Sequence, residues 1–108
     1  MRVVKKTQDS SADFSANYAS PTIYAGRMGF GSVQIEWDTN PQGTLTISGR
    51  NDSTLSFVPL DTFTLTGSPG SHLFNLEFLS NLEYQISFTH TGGAGTASII
   101  SLLKATDV

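Results

Sequence analysis

The stretch YQISFTHTGGAGTASIISLLKA, residues 84–105, decides the fold of this chain. Before its glycines, apolar and polar residues alternate, which places Tyr84, Ile86 and Phe88 on one face of a strand. The run after the glycines is rich in β-branched residues and apolar on both faces, which is typical of a central strand. We therefore predict two strands joined at TGGAG as a β-hairpin, in which glycine supplies the positive φ of the turn.

A phosphate-binding loop is the alternative interpretation of these glycines. Such a loop needs a helix after its glycines, because the helix N-terminus supplies the amides that hold the anion, and it usually carries a Lys followed by Ser or Thr. Here a strand-like run follows, and no lysine occurs before Lys104. This difference favours the hairpin.

The same alternation recurs upstream at intervals of about 8–12 residues, with turn sequences between. SVQIEW, residues 32–37, places Val33, Ile35 and Trp37 on one face. Pro59 in LSFVPL cannot donate to a ladder, so this piece is expected to be an edge strand or a bend. Later strands are expected to point Leu45, Ile47, Phe63, Leu65, Phe74, Leu76 and Phe78 inward. The pattern predicts an all-β protein, an antiparallel β-sandwich that is jelly-roll-like or Ig-like.

The length of 108 residues is enough for one ordinary domain. Residues 1–21 are rich in Ser, Ala, Asp and Asn and keep no period, so we predict an extended N-terminal arm followed by one sandwich domain, residues 22–108. Phe14 and Tyr18 are the large apolar residues of this arm. They can anchor the arm on its own domain or on a neighbour, and we take them as candidate assembly contacts.

Composition argues against several classes of function. The chain has no cysteine, a formal net charge of −3 and six scattered basic residues, so it has neither thiolate sites nor a basic stripe for nucleic acid. It also lacks an apolar run long enough for a signal peptide or a membrane helix. We expect a soluble protein, made without a cleaved signal peptide, that binds neither nucleic acid nor membranes.

Residues that can carry chemistry have ordinary explanations. His72 and His90 match no metal-ligand spacing and are expected to be exposed at strand ends. Glu36 and Asp38 flank Trp37, which puts both carboxylates on one solvated face, about 7 Å apart at the backbone. Calcium binding by turn residues is an alternative to local hydrogen bonding. The turn residues concerned are Asp38, Asn40, Asn51, Asp52 and Asp61.

Aromatic residues raise the question of sugar binding. Trp37, Tyr84 and Tyr24 can form a stacking platform, but Trp37 and Tyr84 share an inward phase with aliphatic neighbours, so core packing explains them more simply. An exposed Trp37 beside turn carboxylates would favour a carbohydrate-binding module. A buried Trp37 would count against it.

Residues 32–105 resemble a kind of small β-domain found in structural proteins of tailed phages and related viruses. The shared pattern begins with a strand ending in Trp, SVQIEW, then the strand GTLTISG and the turn RNDS. A strand with a central Pro, FVPL, leads to GSHLFNLEF and to the Tyr-led stretch quoted first, which closes in Lys-Ala. The resemblance implies a structural role on a virion and transfers no catalytic residue.

From these observations we expect a non-enzymatic virion structural protein, most specifically a capsid decoration or cement protein that binds and stabilises the phage head. Its expected partners are the major capsid protein or other virion proteins and further copies of itself, for instance as a trimer. We expect no cofactor, and a location on the virion after assembly in the host cytoplasm. The alternative is a carbohydrate-binding module or a receptor-binding tail or spike component. An enzyme comes third, because no catalytic motif is present.

Overall fold

The structure, a computed structural model, describes residues 3–26, 28–76 and 82–105. Within these ranges the chain is built of β-strands without a helix, which confirms the predicted all-β antiparallel fold. The strands are β1 (Val3–Asp13), β2 (Tyr18–Ala19), β3 (Ile23–Tyr24), β4 (Phe30–Trp37), β5 (Gln42–Arg50), β6 (Val58–Thr66), β7 (Gly70–Leu76), β8 (Glu83–Gly92) and β9 (Thr96–Lys104). None of the described segments contains a helix that could span a membrane.

The strands form two antiparallel sheets that pack face to face. Sheet A has the order β1-β9-β4-β7, and sheet B has the order β2-β8-β5-β6, with the short β3 also paired to β8. Leaving β3 aside, the first strand pairs with the last, the second with the second last, and so on inward to β5 and β6. This nested pairing is the jelly-roll order of a double-sheet sandwich, so the jelly-roll form of the prediction is the one observed.

The core lies between the sheets and follows the period of two along each strand. Val33, Ile35 and Trp37 on β4 are buried, as are Tyr84, Ile86 and Phe88 on β8. The inward positions predicted for the later strands are also buried or pack against the core: Leu45, Ile47, Phe63, Leu65, Phe74 and Leu76. Phe78 lies outside the described residues. Strand alternation therefore located most of the core.

The TGGAG connection is not a β-hairpin, and that prediction was wrong. Strand β8 belongs to sheet B and β9 to sheet A, so the connection crosses from one sheet to the other. Gly93 has a φ of 67°, and a Cβ there would collide with the backbone of Asn40 in the neighbouring crossover between β4 and β5. Glycine supplies a positive φ here, as predicted, but it serves a close packing of two crossovers instead of a tight turn.

Within the predicted arm, the described residues 3–21 do not lie outside the sandwich. The segment is extended as expected, but Val3–Asp13 form β1, which pairs with β9 from Val3–Lys104 to Asp13–Thr96 with two register shifts. Strand β2 likewise pairs with β8. The polar composition misled the prediction because β1 is an edge strand whose residues are mostly exposed. The sandwich thus begins before the predicted boundary at residue 22.

Strand β6 is the outer strand of sheet B, which agrees with the edge predicted from Pro59. The strand pairs with β5, and the register shifts between Ile47 and Ser48, opposite Pro59. An edge strand that carries a proline and a bulge is a poor template for further strand pairing. The free side of β6 is therefore protected against uncontrolled sheet extension.

Candidate functional site

The two candidate assembly residues pack within their own domain. Phe14 is fully buried and stacks on Phe88, with ring centroids 4.3 Å apart. Tyr18 is half-buried, and its hydroxyl donates a 2.6 Å hydrogen bond to the carboxylate of Asp9. Phe14 therefore has no exposed surface to offer a partner. Tyr18 contacts its own domain and stays partly exposed, so its role as an assembly contact remains a prediction.

The Asp9–Tyr18 hydrogen bond joins the two sheets, because Asp9 lies on β1 and Tyr18 on β2. Hydrogen bonds from the Tyr18 hydroxyl and from the Ser11 backbone lower the pKa of Asp9 below its ordinary value of 3.8. Burial, with the hydrogen bond and charge of Asp9, raises the pKa of Tyr18. The pair is therefore a charge-assisted hydrogen bond that links the two sheets at one edge of the sandwich.

Trp37 and Tyr84 pack in the core, as the simpler interpretation of the sequence predicted, so the aromatic platform does not form. Trp37 is only 6% exposed, and its indole N–H donates to the carbonyl oxygen of Ser68, while Tyr84 lies in the core. Tyr24 is exposed on β3. By the criterion set from the sequence, the burial of Trp37 counts against sugar stacking at these three residues.

The histidines do not both lie exposed at strand ends as expected. His72 is half-buried between the sheets, stacked on Phe63 at 4.0 Å and edge-on to Phe74 at 4.6 Å between ring centroids. His90 lies near the end of β8, where its Nε2 is 2.8 Å from the carbonyl oxygen of Gly93. His72 was misassigned because it occupies an inward position of β7, opposite Ile35.

The turn carboxylates and amides make hydrogen bonds within the domain, and only some of these bonds are local. Asp38 accepts from the Thr96 backbone, Asn40 from the Ala94 backbone, and Asp52 from Thr54. Among the residues the structure describes, no three His, Cys, Asp or Glu side chains gather in a geometry suited to a metal ion. Asp52 thus shapes its own turn, as the local interpretation predicted. Asp38 and Asn40 instead link the β4–β5 connection to residues 94–96.

Exposed apolar side chains occur on both faces of one end of sheet B, where β5 ends and β6 and β8 begin. We call this surface the apolar end. Its members expose between 49% and 68% of their area and are Tyr24, Leu55, Val58, Leu60 and Leu82. Exposed apolar clusters of this kind on a soluble domain commonly mark contact surfaces.

An ion pair joins β5 to β8 at the apolar end. The Arg50 Nε donates to a Glu83 carboxylate oxygen at 2.7 Å, and both side chains are less than one-fifth exposed. The Arg50 guanidinium also lies 4.1 Å from the centre of the Phe57 ring and donates to the carbonyl oxygen of Leu55. These contacts fix the loop between β5 and β6 and so set the positions of the apolar residues around it.

A groove of about 700 Å³ crosses the outer face of sheet A. Along β4, Ser32, Gln34 and Glu36 point into it. Gln34 is paired with Ile100 on one side and Leu73 on the other, so polar and aliphatic side chains alternate across the strands. Sequence reasoning identified the outward face of β4 but missed the groove, because Leu73 and Ile100 come from strands whose neighbours the sequence did not reveal.

The comparisons with known proteins concern the fold. No protein-family model matches the chain, and no curated protein matches it. The SPBc2 prophage-derived protein YomS is similar in structure at 6% identity, with a TM-score of 0.59 over 94% of this chain and 93% of YomS. The PBSX exported protein XepA gives a TM-score of 0.69 at 14% identity, over 97% of this chain but only 38% of XepA.

A carbohydrate-binding domain has the same fold. Chitosan-binding module 1 of a chitosanase/glucanase from Paenibacillus sp. IK-5 is 13% identical, with a TM-score of 0.56 over 90% of this chain and 74% of the module. Proteins of prophage origin and sugar-binding modules thus share this sandwich. At these identities the likeness shows the fold alone.

Proposed function

We propose that this chain is a non-enzymatic structural subunit of a virion, and that it decorates and stabilises the phage head by binding the major capsid protein. The apolar end carries this proposal. It brings five large exposed apolar side chains to the same strand ends as one partly buried ion pair. Aromatic and arginine residues that are surrounded by apolar side chains are typical of protein–protein interfaces.

The fold supports the same role. A double-sheet jelly roll serves in viral capsid domains, and the prophage-derived YomS has this fold over nearly its whole length. The absence of cysteine suits a particle assembled in the reducing host cytoplasm. A stable sandwich that binds the capsid through its apolar end needs no catalytic group to act as a cement protein.

The test uses particles released by cells that produce the chain, labelled with an antibody against it and imaged by electron microscopy. We expect label on the heads. We expect Val58→Asp to abolish the label, because a charge would have to be buried at the contact. The control is Leu73→Asp, at a side chain of sheet A that is 52% exposed, which should leave the label in place.

Label confined to tails would contradict the capsid role, and particles without label would contradict the virion role. Equal labelling with Val58→Asp would show that the apolar end is not the contact. Because Val58 is 60% exposed, the variant is expected to fold, and circular dichroism with a thermal melt checks this.

A further inference from the structure

We propose that the groove on sheet A binds an oligosaccharide without acidic groups, at a site separate from the apolar end. The proposal does not depend on the virion role, because the groove and the apolar end lie on different sheets. It also differs from the stacking platform of Trp37, Tyr84 and Tyr24, which the structure does not form.

The floor of the groove offers hydrogen-bonding side chains between aliphatic ones. Gln34 and Glu36 are exposed, and Glu36 pairs with Ser98 on β9. Amide, carboxylate and hydroxyl groups together provide donors and acceptors within one row. A sugar ring presents hydroxyls at its rim and C–H groups on its faces, so Leu73 and Ile100 would contact the faces while the polar groups bind the rim.

The pairing of the strands argues against an extended peptide as the ligand. Peptides that bind sheets commonly add to an edge strand, where backbone groups are unpaired. Strands β4 and β9 form the floor, and each is hydrogen-bonded on both sides, β4 to β7 and β9, and β9 to β1 and β4. The floor can therefore recognise a ligand only through side chains. Side-chain hydrogen bonds suit a polyhydroxylated chain such as an oligosaccharide.

The charge of the groove lining determines which class of saccharide can bind. The charged lining residues are Lys5, Glu36 and Asp38, which is one cation against two carboxylates. Such a surface repels sulfated or uronic-acid chains and phosphodiesters, and it tolerates neutral or amine-bearing sugars. A groove of about 700 Å³ falls in the range of ordinary ligand sites.

The experiment is isothermal titration calorimetry of the full chain with four hexasaccharides: cellohexaose, N-acetylglucosamine hexamer, glucosamine hexamer and a heparin hexamer. We expect at least one of the first three to bind and the heparin hexamer not to bind. Gln34→Ala and Glu36→Ala should each weaken binding by about tenfold, the effect of losing one hydrogen bond to a ligand. Thr64→Ala, exposed on sheet B, is the matched control and should bind as the wild type does.

Three results would overturn the proposal. The first is that none of the three non-acidic hexamers binds at about 10 mM, a concentration above the Kd expected of a specific site. The second is that both groove variants bind as the wild type does. The third is that the heparin hexamer binds as tightly as the non-acidic hexamers. Because both substituted side chains are exposed, unfolding midpoints should stay at the wild-type value and confirm that the variants are folded.

Discussion

Phe14 attaches the N-terminal segment to the core of the sandwich. It sits in a stretch of small polar residues, yet it is fully buried, and its backbone N–H donates to the carbonyl oxygen of Gly95. Its ring stacks on Phe88 of β8, while Ala12 packs in the same core cluster. The side chain thus fastens the end of β1 between the two sheets.

Truncating Phe14 tests whether the segment is part of the core. We expect Phe14→Ala to lower the free energy of unfolding by about 3–5 kcal/mol, because it removes a buried ring and leaves a cavity. Urea denaturation followed by circular dichroism measures this.

Leu73→Ala is the control for this prediction, since Leu73 is 52% exposed on β7. It should change the free energy of unfolding by less than about 1 kcal/mol. A loss of similarly small size in Phe14→Ala would mean that residues 3–14 are an appendage after all.

At the scale of elements, the strength of the hydrogen bond that links β1 to β2 depends on the ionisation of Asp9. Asp9 has a pKa lowered in the folded state, so its contribution to stability is present at neutral pH and is lost as the pH falls through that pKa. Tyr18 provides the largest part of this effect through its hydroxyl. The link between the two sheets at this edge is therefore expected to be sensitive to acid.

Tyr18→Phe removes the hydroxyl and keeps the ring. At pH 7 we expect the variant to be less stable than the wild type by at most about 1 kcal/mol, because solvent screens the pair. The difference should begin to shrink below about pH 4, the ordinary pKa of an aspartate, and should be lost as the pH falls through the lowered pKa of Asp9. Thermal melts at pH 3, 5 and 7 measure it, with the exposed Tyr24→Phe as the control. A difference that stays constant across this range would contradict the assignment.

The elements also show what the sequence could and could not predict. A period of two identified the strands and their buried faces, as in β4, because alternation follows directly from strand geometry. It did not reveal partners: TGGAG is compatible both with a hairpin and with the sheet-to-sheet crossover that β8 and β9 make. It also missed β1, whose edge position leaves it without a regular apolar face.

At the scale of the whole molecule, the jelly-roll path brings distant residues into shared surfaces. Tyr24 and Arg50 both pair with Glu83, which joins β3, β5 and β8 at the apolar end. The groove likewise combines β1, β4, β7 and β9. Neither surface was predictable from sequence, because each depends on strand order, and local periodicity carries no information on strand order.

The measurement that most directly tests the central claim, binding to the phage head through the apolar end, is co-sedimentation of the purified chain with heads that lack it. We predict that the wild type and Leu73→Asp sediment with the heads and that Val58→Asp stays in the supernatant. A wild-type chain that stays in the supernatant, or a Val58→Asp variant that sediments with the heads as the wild type does, would contradict the account.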